Sequence, residues 1–151
     1  MSTRLTPIDW KSIILNDQGQ GALFQDPHFK ANQNAILDPM IRRDKRVKNW
    51  ANFIWKRPSE VYGAGNFSLF NDIRPNDIKQ GNCGDCYFLS CLSSIAENPS
   101  RIRDIFLTEQ VNEVGCYAVT MWVDGQKREI VIDDLFPYDV YKEQWAFSRT
   151  N

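Results

Sequence analysis

The sequence predicts an α+β fold, and three observations predict it. Apolar residues recur at helical spacing from Cys86 to Glu97. Two alternating stretches flank Asp124-Gly125, a strong two-residue hairpin turn. A long, turn-rich lead-in without periodicity precedes both. At 151 residues the chain has the size of one domain.

Residues 1–50 read as an irregular N-terminal arm. Gly19-Gln20-Gly21, Asp26-Pro27, Asn32-Gln33-Asn34 and Asp38-Pro39 punctuate it with turn signals. Ile8 to Leu15 has room for one short helix. Residues 51–151 read as a cysteine-bearing lobe, joined to the arm by a Trp-rich stretch from Trp50 to Pro58. Tyr62 to Asn66 is a glycine-rich loop, and Asn71 to Asn82 is polar and turn-rich. In the Cys86–Glu97 helix, Phe88, Cys91, Leu92 and Ile95 share one face, widened by Leu89 and Ala96. Cys91 is therefore expected to be a small core residue. Asn98-Pro99 stops this helix. Ser100 is expected to cap a second short helix that buries Ile102, Ile105 and Phe106. In the hairpin, Tyr117, Val119, Met121 and Val123 alternate with Cys116, Ala118, Thr120 and Trp122, and Lys127 to Asp133 returns. Asp133-Asp134-Leu135-Phe136-Pro137 then leaves the sheet, with both acids expected in turn and backbone bonding. Trp50, Trp55, Trp122 and Trp145 are expected to pack inside. The stretch from Gln144 to Asn151 has no cap or turn signal, so the lobe is expected to be truncated there.

Charge excludes some partners. With 18 basic and 19 acidic residues, net charge is near zero. That leaves no electrostatic case for nucleic acid or an anionic membrane. The one basic run, Arg42 to Lys48, reads as a solvated face. The N-terminus has no basic-then-apolar signal pattern, and no apolar run reaches bilayer length. A cytoplasmic location is therefore expected, where structural disulfides are rare.

Three of the four cysteines lie in Gln80-Gly81-Asn82-Cys83-Gly84-Asp85-Cys86-Tyr87-Phe88-Leu89-Ser90-Cys91-Leu92. A zinc site wants two paired ligand motifs. Only Cys83 and Cys86 have that spacing, and Cys116 and the single histidine, His28, lie far away in sequence. A redox pair, C-x-x-C at a helix start, wants a buried strand before it in a βαβ pattern; the residues before Cys83 are polar. A catalytic nucleophile fits best. A thiolate at a helix N-terminus is stabilised by unpaired N–H groups and the helix dipole. Cys86 holds that position. Gly81 and Gly84 allow a sharp turn and leave room for a substrate carbonyl. The Gln80 side-chain amide and the Cys86 N–H together suit an oxyanion hole.

The segment Gln80 to Leu89 resembles the calpain signature Q-G-x-x-G-D-C-W-x-L. Other segments agree, in the family's order. Leu23-Phe24-Gln25-Asp26-Pro27-His28-Phe29 resembles L-F-x-D-P-x-F, and Trp55-Lys56-Arg57-Pro58 matches W-x-R-P. Asp77-Ile78-Lys79-Gln80-Gly81 matches D-I-x-Q-G, and Ile130 to Pro137 resembles V-V-V-D-D-x-x-P. Tyr87 stands where the family has Trp, and Cys83 replaces an apolar residue. The resemblance implies the first lobe of a papain-like cysteine protease core. It implies a calcium-dependent intracellular endopeptidase acting on protein substrates. Cys86 would be its nucleophile and Gln80 its oxyanion donor. It also implies calcium at Asp77, with Phe70 and Asp72 where the family uses carbonyl ligands. The family's catalytic His and Asn belong to a lobe downstream of the cysteine lobe, and this sequence stops before it. His28 reads as a loop residue, so the isolated chain is expected to be inactive. A non-catalytic scaffold or pseudo-enzyme fragment and a C-x-x-C thiol oxidoreductase remain as alternatives.

Overall fold

The computed structural model describes residues 7–16, 21–37, 45–79, 81 and 83–150. In chain order the elements are α1 (Trp10–Asn16), α2 (Gln33–Ile36), a 3-10 helix (Lys45–Asn52), β1 (Ile54–Lys56) and α3 (Pro58–Tyr62). A second 3-10 helix (Pro75–Asp77), β2 (Ile78–Lys79), α4 (Cys86–Ala96) and α5 (Pro99–Arg103) follow. Five further strands complete the chain: β3 (Cys116–Val123), β4 (Gln126–Asp133), β5 (Phe136–Asp139), β6 (Gln144–Trp145) and β7 (Arg149–Thr150). The fold is mixed helix and sheet, as the sequence predicts. Among the described residues no helix is long and apolar enough to cross a membrane.

The hairpin forms at the expected turn. Asp124 and Gly125 have φ of 52° and 71°, the mirror-image turn that matches strand twist. The register runs from Cys116↔Asp133 to Val123↔Gln126. Burial does not alternate along β3 as expected; it grades from base to tip. Cys116 to Val119 are all buried, whereas Trp122 is 72% exposed. The reason is that the base of β3 is covered on several sides. The Ile105–Thr108 segment bonds along it, with Leu107 N–H donating to Ala118 O at 2.8 Å and Thr120 N–H to Ile105 O at 2.7 Å. The N-terminal helix α1 packs against the same strand. The tip extends beyond this cover, so Trp122 is a surface residue and not a core one.

Helix α4 starts and stops as predicted, but its buried face is turned. Leu89 and Ala96 are its buried residues. Phe88 and Cys91 are exposed, which corrects the expected placement of Cys91 in the core. The helix packs on α5 and the second 3-10 helix, and these two neighbours select the buried side. The cap of α5 is Asn98, not Ser100. Its side chain accepts the Ser100 N–H at 3.2 Å and the Ser100 hydroxyl at 2.9 Å. Pro99 at the first helical position lacks an N–H, which leaves Ser100 as the first donor needing a cap.

The arm is more ordered than its turn signals suggest. Leu37, Val47, Trp50 and Phe53 pack with Ala146 in one apolar cluster. Phe147 sits edge-on to Trp50 and Phe53, at 5.0 and 5.9 Å between ring centres. Of the basic run, Arg42 to Asp44 lie outside the described residues, and Val47 is buried.

A buried ion pair joins the two halves. Arg57 and Asp134 are 4% and 6% exposed and bond to each other. Arg57 also donates to the Phe24 carbonyl at 2.6 Å. Gly115 lies against this pair at φ +69°, and a Cβ there would fall inside both partners. Next to it, Asp133 accepts the Asp26 N–H at 2.9 Å and the Leu135 N–H at 3.1 Å. Asp133 therefore does the turn and backbone bonding expected of it, whereas Asp134 pairs with a buried guanidinium instead.

Arg57→Ala strands a buried carboxylate. Breaking such a pair costs about 3–5 kcal/mol, read by urea denaturation at neutral pH. Burial already holds Asp134 above its ordinary value, against the pull of Arg57. Without Arg57 the ionised form opposes folding more strongly. Because the folded-state pKa is raised, that penalty acts above it and is relieved as pH falls through it. The variant's deficit should therefore shrink on acidification. A loss below about 1 kcal/mol at neutral pH would show that the pair is replaceable.

Candidate active site

The cysteine loop begins where β2 ends. β2 pairs with β7, Ile78↔Thr150 and Lys79↔Arg149, so the last described residues run beside the loop. Gly81 lies against the backbone of Phe147, where a Cβ would overlap it. Neither Gly81 nor Gly84 has a positive φ. Gly81 is thus needed for close approach to Phe147, a role the sequence does not signal. Gly84 opens onto empty space, in keeping with room for a substrate. Gln80 lies outside the described residues, as does Asn82.

Cys86 is the first residue of α4 and is exposed. Asp85, ahead of it, makes no side-chain cap bond. Its carbonyl accepts the N–H groups of Phe88 and Leu89 at 2.9 and 3.0 Å. The first N–H groups of a helix have no partner within it, so the turn at Cys86 presents donors and positive potential. The other thiols are less suited to attack a substrate. Burial, then the Asp85 carboxylate, pushes the Cys83 thiol up. Burial, with Asp133 and Asp26 nearby, pushes Cys116 up to about 11. Cys91 is exposed but lies in the middle of α4. Only Cys86 combines exposure with the helix start. Sequence reasoning missed one feature: Asp85 Oδ1 is buried and accepts no hydrogen bond from the described residues. No spacing rule signals an orphaned oxygen.

His28 is elsewhere in the fold. Its N–H donates to Asp26 at 2.7 Å, and Asp26 is tied to Asp133 at the hairpin base. Cys86 stands on a helix packed against α5 and the second 3-10 helix.

The Asp72 and Asp77 carboxylates, as placed, turn to Arg74 and not to one shared point. Calcium takes about six to eight oxygens. Asp72 pairs with the Arg74 guanidinium. Asp77 accepts the Arg74 N–H at 2.7 Å, closing the 3-10 helix. Phe70 packs its ring edge-on to Phe106 at 4.9 Å, under Arg103. Among the described residues no three His, Cys, Asp or Glu side chains gather as a metal site.

The whole chain from Phe24 onward matches one family description, "Calpain family cysteine protease", over residues 24–151. The chain belongs to the calpain family of cysteine proteases. Calpain-13 of Rattus norvegicus is 33% identical over 121 residues, covering 78% of this chain and 17% of that protein. The calpain-2 catalytic subunit of Homo sapiens is 32% identical over 124 residues, again 78% and 17%. A calpain-type cysteine protease of Arabidopsis thaliana is 36% identical over 119 residues, 76% of this chain and 5% of its own length. The chain thus spans about a sixth or less of these relatives. The calpain-family match holds every element that positions Cys86; only α1 and the residues before Phe24 lie outside it.

Two outcomes follow for the calpain-family site. With limiting iodoacetamide, Cys86 should label several-fold faster than Cys83, Cys91 or Cys116, as mapped by peptide mass. Faster labelling of Cys91 would mean that exposure alone governs reactivity. In titration calorimetry the chain should show no calcium binding tighter than about 1 mM. Micromolar binding lost in Asp77→Ala would show a complete site.

Proposed function

We propose that this chain is the nucleophile-bearing part of a calpain-type cysteine endopeptidase acting on proteins in a reducing, intracellular compartment. The observation that carries the reading is an exposed Cys86 at the first position of α4, inside the family-matched segment. Cys86 sulfur attacks the scissile carbonyl carbon. The carbonyl electrons move onto oxygen, which the Cys86 N–H and the Gln80 side-chain amide hold. Collapse expels the amine with a proton, and water then hydrolyses the thioester. A base must take the thiol proton and deliver it to the amine. The single histidine, His28, lies before the nucleophile on the segment tied to the hairpin base through Asp26, and it is not recruited as that base, so the chain by itself is inactive in this reading. Calcium, which the family resemblance implies, would act by closing the cleft and takes no part in these bond changes. The division into an arm, 1–50, and a cysteine lobe, 51–151, is part of the same proposal.

An activated ester separates the nucleophile from the missing base. Nitrophenolate leaves without a proton, so Cys86 should be acylated by p-nitrophenyl acetate in a burst approaching one equivalent, absent in Cys86→Ala. A burst that persists in Cys86→Ala would overturn the assignment. Casein should remain uncut with or without calcium. Calcium-stimulated cleavage lost in Cys86→Ala would place a working base inside the chain, with His28→Ala the next variant to measure.

A further inference from the structure

Cys83 is half-buried three positions before Cys86, and the chain bends at both Cys83 and Gly84. This C-x-x-C crosses the start of α4, a spacing and place at which thiols exchange readily with disulfides. The two residues between them leave the loop free to close. A Cβ added at Gly84 would meet nothing within 4 Å, and Asp85 makes no cap bond that closure would break. The remaining thiols are badly placed for Cys86. Cys116 is fully buried at the base of β3. Cys91 lies five helical positions on, about 7.5 Å along the axis and on another side.

We propose that Cys83 is a resolving thiol for Cys86, so that a hydroperoxide converts the pair into a reversible intramolecular disulfide. The inference rests on Cys86 being the reactive thiol of the proposed function. The Cys86 thiolate attacks one peroxide oxygen, the O–O bond breaks, and hydroxide leaves and takes up a proton. Cys86 is then a sulfenic acid. The Cys83 sulfur attacks the Cys86 sulfur; the S–S bond forms, the S–O bond breaks and water departs. Two thiols lose two electrons and two protons, and hydrogen peroxide becomes two waters. A dithiol reverses the step by exchange. Cys86 is exposed and Cys83 half-buried, so the peroxide meets Cys86 first. The disulfide masks the nucleophile and spares it from irreversible sulfinic acid.

The test uses the full chain with about a tenfold excess of hydrogen peroxide, followed by peptide mass mapping. The wild type should lose about 2 Da, mapped to a Cys83–Cys86 link, and regain it with dithiothreitol. In Cys83→Ser, Cys86 should pass to sulfinic and sulfonic acid, and dithiothreitol should not restore it. Cys91→Ser should behave as wild type. Sulfinic acid forming on Cys86 equally fast with and without Cys83 would overturn the proposal, as would a link from Cys86 to Cys91. Alkylation of the reduced chain reads the nucleophile separately: preferential labelling of Cys86 without any disulfide sinks the resolving role and leaves the proposed function standing.

Discussion

The buried contact between Arg57 and Asp134 is the constraint on which the rest of the fold depends. An arginine is rarely buried unless each of its charges and donors is met. Here the guanidinium reaches Asp134, after β4, and the Phe24 carbonyl near the start of the matched segment. Three stretches distant in sequence meet at one ion pair. Gly115 completes the meeting, since a side chain there would occupy the space of the pair. Asp133 and Asp26 then fix the turn beside it through backbone N–H groups. With that junction set, β5 can pair β1, and the chain continues through β6 to Phe147 and β7.

The candidate site is built off the far end of this path. Phe147 packs against Trp50 and Phe53 on one side, and its backbone meets Gly81 on the other. The loop that presents Cys86 is therefore braced by the apolar cluster of Leu37, Val47, Trp50 and Phe53. Helix α4 needs no strong cap of its own at Asp85, because packing against α5 and the second 3-10 helix holds it. Cys86 is thus presented at a helix start by tertiary contacts.

Strong local chemistry made much of this legible in the sequence. Asp124-Gly125 dictated the hairpin and its register, and Asn98-Pro99 marked the break between α4 and α5. The thiol at the helix start followed from periodicity and from the order Gly84-Asp85-Cys86. What stayed hidden depended on partners distant in sequence. The burial of Val47 and Trp50 needs Ala146 and Phe147 from the other end of the chain. The exposure of Phe88 and Cys91 reflects which side of α4 its neighbours cover, and periodicity gives a face without saying what will cover it. The close approach of Gly81 to Phe147 joins two distant stretches of the chain. Arg74 belongs to no motif, yet its guanidinium pairs with Asp72 and its N–H bonds to Asp77.

The central claim is that Cys86 is a nucleophile set beside an oxyanion site. A peptide aldehyde tests it most directly, because adding a thiol to the aldehyde gives a tetrahedral hemithioacetal without any leaving group to protonate. The account predicts saturable binding by carbon-13 NMR of a labelled aldehyde, abolished in Cys86→Ala and weakened about tenfold or more in Gln80→Ala. A hemithioacetal that forms equally well in Cys86→Ala, or that maps to Cys91, would contradict it.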